Sequence, residues 1–365
     1  MRVLISPDSF KGSLSAFEAA EAMRRGAARA GAEVEVCPLS DGGEGLTSVL
    51  LGALGGSERI TRVTGPLRDR TEARWALLAD GRTALIESAA AIGLAKVPER
   101  RAPTETTSYG VGELILEAVN SGARTIVVGL GGTATTDGGA GMAQALGVVL
   151  EGVDTPATGG QLVRLRRIDP GPREPRLDEI ELVALTDVDN PLTGEQGSAR
   201  VYGPQKGASP AEQVELDAAL AHLSTIAGDA GTRPGDGAAG GLGFGLRVLL
   251  GARVQSGIDH VLDATSFDAK LRTCDLVLTG EGRLDAQSAR GKVVAGVSRR
   301  CRAARVPAVA LVGAVGPGAS LLLDQGLTAY FSLCSRPMPE SEARQNAAAL
   351  LEELAYNVVR LRRAE

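Results

Sequence analysis

Carboxylates and glycines stand together at five places in this chain, each time directly after a short apolar run. Residues 3–6 lead into Pro7-Asp8-Ser9-Phe10-Lys11-Gly12-Ser13, and residues 34–38 lead into Ser40-Asp41-Gly42-Gly43-Glu44-Gly45. Residues 125–128 lead into Gly129-Leu130-Gly131-Gly132-Thr133-Ala134-Thr135-Thr136-Asp137-Gly138-Gly139. Residues 180–185 lead into Thr186-Asp187-Val188-Asp189-Asn190-Pro191, and residues 276–278 into Thr279-Gly280-Glu281-Gly282-Arg283-Leu284-Asp285. Glycine lets backbone N–H groups close on an anion, and carboxylates hold divalent cations. In open α/β sheets ligands sit beyond the carboxyl ends of the strands. Five such loops point to a site for a phosphate ester and Mg²⁺.

The loops differ in what they offer. Asp8 to Ser13 joins a strand to a helix start, where free N–H groups and the helix dipole attract anions. Lys11 adds a cation and Ser13 a hydroxyl, so a phosphate or a substrate carboxylate fits there. Asp41 and Glu44 flank a Gly pair near a second helix start, where either carboxylate suits Mg²⁺ or a substrate hydroxyl as well as the helix dipole. Gly129 to Ala134 matches G-x-G-x-x-A, and Glu151 falls where a ribose-binding acid would stand. Asp137 departs from that pattern, because it sets a negative charge beside the expected pyrophosphate. We therefore read Gly131, Gly132, Thr133 and Asp137 as a phosphate or substrate loop. Asp187 and Asp189 occupy alternate positions, which share a side if the chain is extended, so they could share a metal. Two buried acids in a turn have little structural reason to be there. Lys206, in Tyr202-Gly203-Pro204-Gln205-Lys206-Gly207, could reach a nucleotide phosphate or stay solvated. Arg283 could grip a carboxylate or phosphate in bidentate fashion, or pair internally with Glu281 or Asp285. The stretch up to Gly291-Lys292 is not a P-loop, since Ala286 and Val293 replace required residues. His222 and His260 lack acidic or Cys partners at catalytic spacing. With no G-x-S-x-G elbow and no H-E-x-x-H, nucleophilic and zinc hydrolases are disfavoured.

The elements that must position these residues follow an α/β rhythm at both ends of the chain. Ser15 and Glu18 form a capping box before an Ala-rich helix, and Gly31 stops it. Strands are expected near residues 3–6, 34–36, 275–278, 308–312 and 329–333. Helices are expected over residues 292–305 and, at the C-terminus, 340–363. Five short strands separated by helices make a flavodoxin-like doubly wound parallel sheet. Its switch point lies between the first strand and the third, residues 275–278, so the loops of Lys11 and Glu281 should meet. Between residues 57 and 78 the pattern alternates as in antiparallel strands. The expected division is residues 1–60 plus 271–365 as one domain, with residues 61–270 inserted as a second α/β domain with a mixed sheet.

Bulk properties narrow the classes. The 365 residues suffice for two cores. A net charge of −5 and 3% aromatic content argue against nucleic-acid partners. The four cysteines form no CxxC pair, which fits a reducing, cytoplasmic setting. The N-terminal apolar run is too short for a signal peptide, and no run is long enough to span a bilayer.

Taken together, residues 7–13, 40–45, 129–141, 187–194, 203–207, 239–243 and 279–292 resemble the bacterial glycerate kinase family, whose sequences open with P-D-S-F-K-G-S. The resemblance runs over nearly the whole chain. Ser6, Ser288 and Val293-Val294 depart slightly from it, and none removes a charge. It implies phosphorylation of D-glycerate with ATP as co-substrate and Mg²⁺ as cofactor, in a cleft between two α/β domains. The product implied is 2-phosphoglycerate, with 3-phosphoglycerate the other assignment. On this reading Asp187 and Asp189 hold the metal, and Asp189, then Asp8, takes the proton of the glycerate hydroxyl. Lys11 stabilises the transferring group, Arg283 clamps the glycerate carboxylate, and Ser13, Asp41 and Glu44 contact substrate. Gly131, Gly132, Thr133, Asp137, Lys206 and Glu281 face the nucleotide phosphates. Glycerate and ATP are the partners, and a homodimer is allowed. A nicotinamide-dependent oxidoreductase of a small hydroxy acid and a non-catalytic small-acid binder are the alternatives.

Overall fold

The computed structural model describes residues 1–97 and 102–364. The chain divides into two compact units, Met1–Asp41 with Ser48–Ala53 and Ser256–Glu365, and Gly42–Thr47 with Leu54–Gln255. Residues 256–270, expected with the insertion, fall in the first unit. Ile258 lies so close to Gly296 that a Cβ there would stand 2.4 Å from its side chain. In chain order, the strands of the two large sheets are β1 (Arg2–Pro7), β2 (Glu33–Val36), β3 (Gly56–Thr64), β4 (Arg70–Leu78), β5 (Thr83–Glu87) and β6 (Thr125–Gly129). They continue with β7 (Glu181–Leu185), β8 (Arg253–Gln255), β9 (Leu276–Gly280), β10 (Ala308–Val312) and β11 (Ala329–Ser332).

The first unit is a five-stranded parallel sheet in the order β11-β10-β9-β1-β2. That is the flavodoxin-like order, with the chain turning from one side of β1 to the other between β2 and β9. β9 and β10 read as continuous apolar runs because every residue in each is buried. Val3, Ile5, Met23, Leu278, Leu311 and Leu351 share one core. The helix Ala16–Arg29 starts on the expected Ser15–Glu18 capping box, and Gly31 follows it at φ +82°. It packs on the C-terminal helix Ala347–Arg363. The expected single C-terminal helix is two, Glu340–Gln345 and Ala347–Arg363. Asn346 separates them at φ −100°, ψ 10°, with its N–H and its side-chain amide both donating to the Glu342 carbonyl at 3.0 Å.

The second unit carries a six-stranded mixed sheet, β8-β7-β6-β5-β4-β3. β3, β4 and β5 are antiparallel neighbours, and β5 to β8 run parallel. Its separate core includes Trp75, Ile86, Val128, Leu220 and Phe244. Among the described residues, no helix is long and apolar enough to cross a membrane.

Candidate active site

β1 and β9 end side by side, with Pro7 opposite Gly280 in register. Asp8 N–H donates to the Gly280 carbonyl at 2.8 Å. Gly280 must be glycine, since a Cβ would stand 2.0 Å from the Leu311 carbonyl oxygen. The next residues on the two strands, Asp8 and Glu281, are therefore brought together although 273 positions separate them. A Cβ on Gly282 would lie 3.3 Å from the Lys11 nitrogen, so the two loops meet as expected at the switch point.

Both carboxylates line a cavity of about 510 Å³ in the first unit, together with Lys11, Ser13, Asp41, Arg283 and Lys292. Asp8 is 6% exposed and Glu281 5%. Burial pushes the Asp8 carboxyl up to about 8, helped by the charges of Asp41 and Glu281 and opposed by the Ser9 N–H and Lys11. Burial likewise lifts Glu281 to about 7, against the Ser288 hydroxyl and Lys292. Glu281 Oε1 is buried without a hydrogen-bond partner. Such a pocket can hold a small anionic molecule and accept a proton from it.

Arg283 pairs with Asp285 at 3.2 Å and still leaves its side chain largely exposed at the cavity. Ser13 spends its hydroxyl proton on the Arg344 carbonyl at 2.9 Å. Arg344 in turn donates to the Lys11 and Gly12 carbonyls at 3.3 and 3.4 Å and pairs with Glu340 at 2.6 Å. This arginine braces the Lys11 loop from the far end of the chain. Sequence reasoning missed it, because nothing in its neighbourhood resembles a motif. It also passed over Lys292, which was weighed only as part of a rejected P-loop.

In the second unit the loop beyond β6 is buried from Thr133 to Asp137. The hydroxyls of Thr133, Thr135 and Thr136 are buried without partners. Lys206, 3% exposed, donates to the Thr135 carbonyl at 2.6 Å. Burial lowers its ammonium to about 7, against the pull of Asp137. A Cβ on Gly240 would lie 1.8 Å from the Thr135 oxygen and 2.9 Å from Lys206 Nζ. The turn at Ala239, Gly240 and Gly241 is left-handed throughout. Arg247 fixes the surrounding loop by bonding Asp229 and Asp236 together. Lys206 is thus built in rather than solvated, whereas Gly132 is exposed and Gly131 half-buried.

Asp137 is committed inside the protein. It accepts from Ser108 N–H and Oγ at 2.7 Å each and from the N–H groups of Gly139 and Gly141 at 3.2 Å. Those donors open two helices, so its role here is that of a cap. Asp187 is half-buried and Asp189 exposed, so the premise that both acids are buried does not hold. Glu44 is exposed and grouped with the second unit, while Asp41 lines the cavity of the first. Among the described residues no group of three or more His, Cys, Asp or Glu side chains converges to hold a metal. His222 is bonded to the Leu165 carbonyl at 2.7 Å, and burial lowers His260, in keeping with structural roles.

Comparison with known proteins gives one answer. Residues 3–363 match the model of the glycerate kinase family. The chain is 43% identical to a glycerate kinase of Halalkalibacterium halodurans, covering 98% of this chain and 97% of that one. It is 44% identical to the glycerate 2-kinase of Escherichia coli K12, covering 91% and 90%. A crystal structure from Salmonella typhimurium LT2, assigned as a glycerate kinase 2, superposes with a TM-score of 0.85 at 39% identity over 100% of this chain and 98% of that one. Full-length matches in sequence and in fold, joined to a pocket suited to a small acid, lead to one conclusion: the chain belongs to the glycerate kinase family and is a glycerate kinase.

Proposed function

We propose that this enzyme transfers the γ-phosphoryl group of ATP to D-glycerate, with 2-phosphoglycerate as product. The observation that carries the reading is the cavity of the first unit. A carboxyl of raised proton affinity, Asp8, stands there among Lys11, Lys292 and Arg283. The similarity to a relative described as a glycerate 2-kinase supports the choice of hydroxyl.

Phosphoryl transfer needs positioning and charge neutralisation more than covalent chemistry. Arg283 and Lys292 hold the glycerate carboxylate, with Asp41 at the same wall. Asp8 takes the proton of the attacking hydroxyl, a role its burial beside the pocket suits better than the exposed position of Asp189. Lys11 neutralises charge on the phosphoryl group in flight. The buried hydroxyls around Thr133, with Lys206, receive nucleotide phosphate oxygens in the second unit. Asp187 and Asp189 offer the hard oxygen donors that Mg²⁺ takes, and this ion needs only one or two carboxylates beside phosphate oxygens and water. When bound, Mg²⁺ would supply charge neutralisation on the transferring phosphates. The four free cysteines fit our placement of the reaction in the cytoplasm.

A coupled assay of ADP release with D-glycerate, L-glycerate or no acid tests the reading. ADP release that ignores glycerate would overturn it. Phosphorus NMR of the product identifies the hydroxyl, because phosphate on the secondary carbon couples to one proton and on the primary carbon to two.

A further inference from the structure

We propose that Asp8 and Glu281 act as an acid pair holding one proton between them, with Asp8 receiving the glycerate proton and Glu281 setting the proton affinity of Asp8. This rests on the reading of glycerate phosphorylation above, and it adds a residue to which sequence reasoning gave only a phosphate contact.

Position comes first. The two residues follow directly on a register pair of adjacent parallel strands, and the Asp8 N–H is bonded to the Gly280 carbonyl. Their backbones therefore cannot drift apart without tearing the sheet. Environment comes next. Both side chains are more than nine-tenths buried and line the same cavity. Glu281 Oε1 has no partner there, while Asp8 keeps the Ser9 N–H at 2.6 Å. An unpartnered buried carboxylate oxygen is costly when ionised and cheap when it carries or shares a proton.

The surrounding charges do not remove the need for that proton. Asp8 faces Asp41 and Glu281, with Lys11 as its counter-charge. Glu281 faces Asp41 and Asp285, with Lys292 as its counter-charge. Arg283 is paired with Asp285 and Arg344 with Glu340, so neither guanidinium is spent on the pair. Lys11 is exposed and screened. Like charges crowded in a buried site resist ionising together, so one proton stays. The raised proton affinities of both groups, near neutrality, agree with this. They belong to the pair rather than to either residue.

In the transfer step the glycerate O–H bond breaks and its electron pair forms the new O–P bond. The bond from the γ phosphorus to the bridging oxygen breaks, and ADP leaves with that pair. The proton passes to Asp8, and from the pair to solvent after release. Activity thus requires Asp8 ionised, and kcat/KM for glycerate rises with pH as the pair titrates.

Infrared difference spectra of the unmodified enzyme across pH 5–9 test the pair without any turnover. A protonated-carboxyl C=O band should titrate near neutrality, and Asp8→Asn should remove the Asp8 share of it and leave that of Glu281. If no such band titrates there, the proposal fails. Glu281→Gln should move the remaining titration, and the ascending limb of kcat/KM, about one pH unit lower, because a repelling charge is gone. If Glu281→Gln lowers kcat at every pH and leaves the limb in place, Glu281 is merely structural and the proposal is overturned. Absence of glycerate-dependent ADP release in the unmodified enzyme would instead sink the assigned function, while the infrared titration would still judge the pair.

Discussion

At Asp8 and Lys206 the protein holds ionisable groups where their charges are least welcome, and the two respond to pH in opposite directions. Asp8 is useful as an acceptor only when ionised, so its contribution grows as pH rises through about 8. Replacing Asp8 with Asn keeps the shape and deletes the acceptor. We expect kcat to fall about 100-fold or more, with KM for ATP nearly unchanged. Steady-state kinetics check this, and near-normal turnover would remove Asp8 from the role. Lys206 attracts phosphate only when protonated. Its ammonium titrates at about 7 because it is buried, where it donates to the Thr135 carbonyl. In the unmodified enzyme KM for ATP should therefore climb as pH rises from about 6.5 to 8.5. In Lys206→Met it should be higher and flat across the same range. A pH-independent KM for ATP in the unmodified enzyme would sink the phosphate role. Loss of one group and gain of the other also give kcat/KM a maximum near neutrality. That Asp8, Lys11 and Glu281 would share one cavity was legible because acid, base and glycine cluster at two strand ends that the topology makes neighbours. Arg344, more than three hundred positions from the loop it braces, was not.

Elements that bring these groups together depend on close backbone approach, and glycine is the residue that allows it. Gly26 sits inside the helix Ala16–Arg29, where propensity alone would favour Ala by about 1 kcal/mol. The C-terminal helix lies so near that a Cβ on Gly26 would stand 2.0 Å from the Glu352 carbonyl and 2.9 Å from the Tyr356 nitrogen. These atoms are backbone and cannot swing aside. Overpacking of this kind costs about 1–3 kcal/mol, which exceeds the propensity gain. Gly26→Ala should therefore lower the urea midpoint, and an unchanged or higher midpoint would show that the helices part freely. The sequence left β5 (Thr83–Glu87) and β8 (Arg253–Gln255) of the second sheet unread, but it showed all five strands of the first, since buried parallel strands are apolar runs. The Ser15–Glu18 cap was equally plain, because both partners lie within one turn. The break at Asn346 was not, since it is a local change of backbone angles that leaves the hydrogen bonds to Glu342 and from Leu350 in helical spacing. Nor was the affiliation of residues 256–270, which rests on Ile258 meeting Gly296 in space.

Across the whole molecule, the fold was easier to read than the site, because rhythm along the chain reports strands while burial reports chemistry. Asp137 looked like a phosphate ligand until its four internal hydrogen bonds were visible. Asp189 looked buried and is exposed. Burial of charge also has a consequence for stability. The Asp8 carboxyl titrates near 3.8 when unfolded and about 8 when folded. A folded value above the unfolded one means that the folded state binds more protons between those limits. The stability contributed by neutral Asp8 is complete below about pH 4 and is lost as pH rises through 8. Glu281 adds to that slope, whereas Lys206, depressed from 10.5, opposes it between about 7 and 10. Comparing Asp8→Asn with the unmodified enzyme cancels distant groups such as Lys206 and isolates Asp8 together with its coupling to Glu281. The variant keeps a neutral side chain at every pH, so its advantage in Tm should be small at pH 5, larger at pH 7 and largest at pH 9. Thermal melts at the three pH values measure it directly. An advantage that stays constant, or shrinks as pH rises, would mean that Asp8 is ionised at neutrality and that its burial is compensated by a partner.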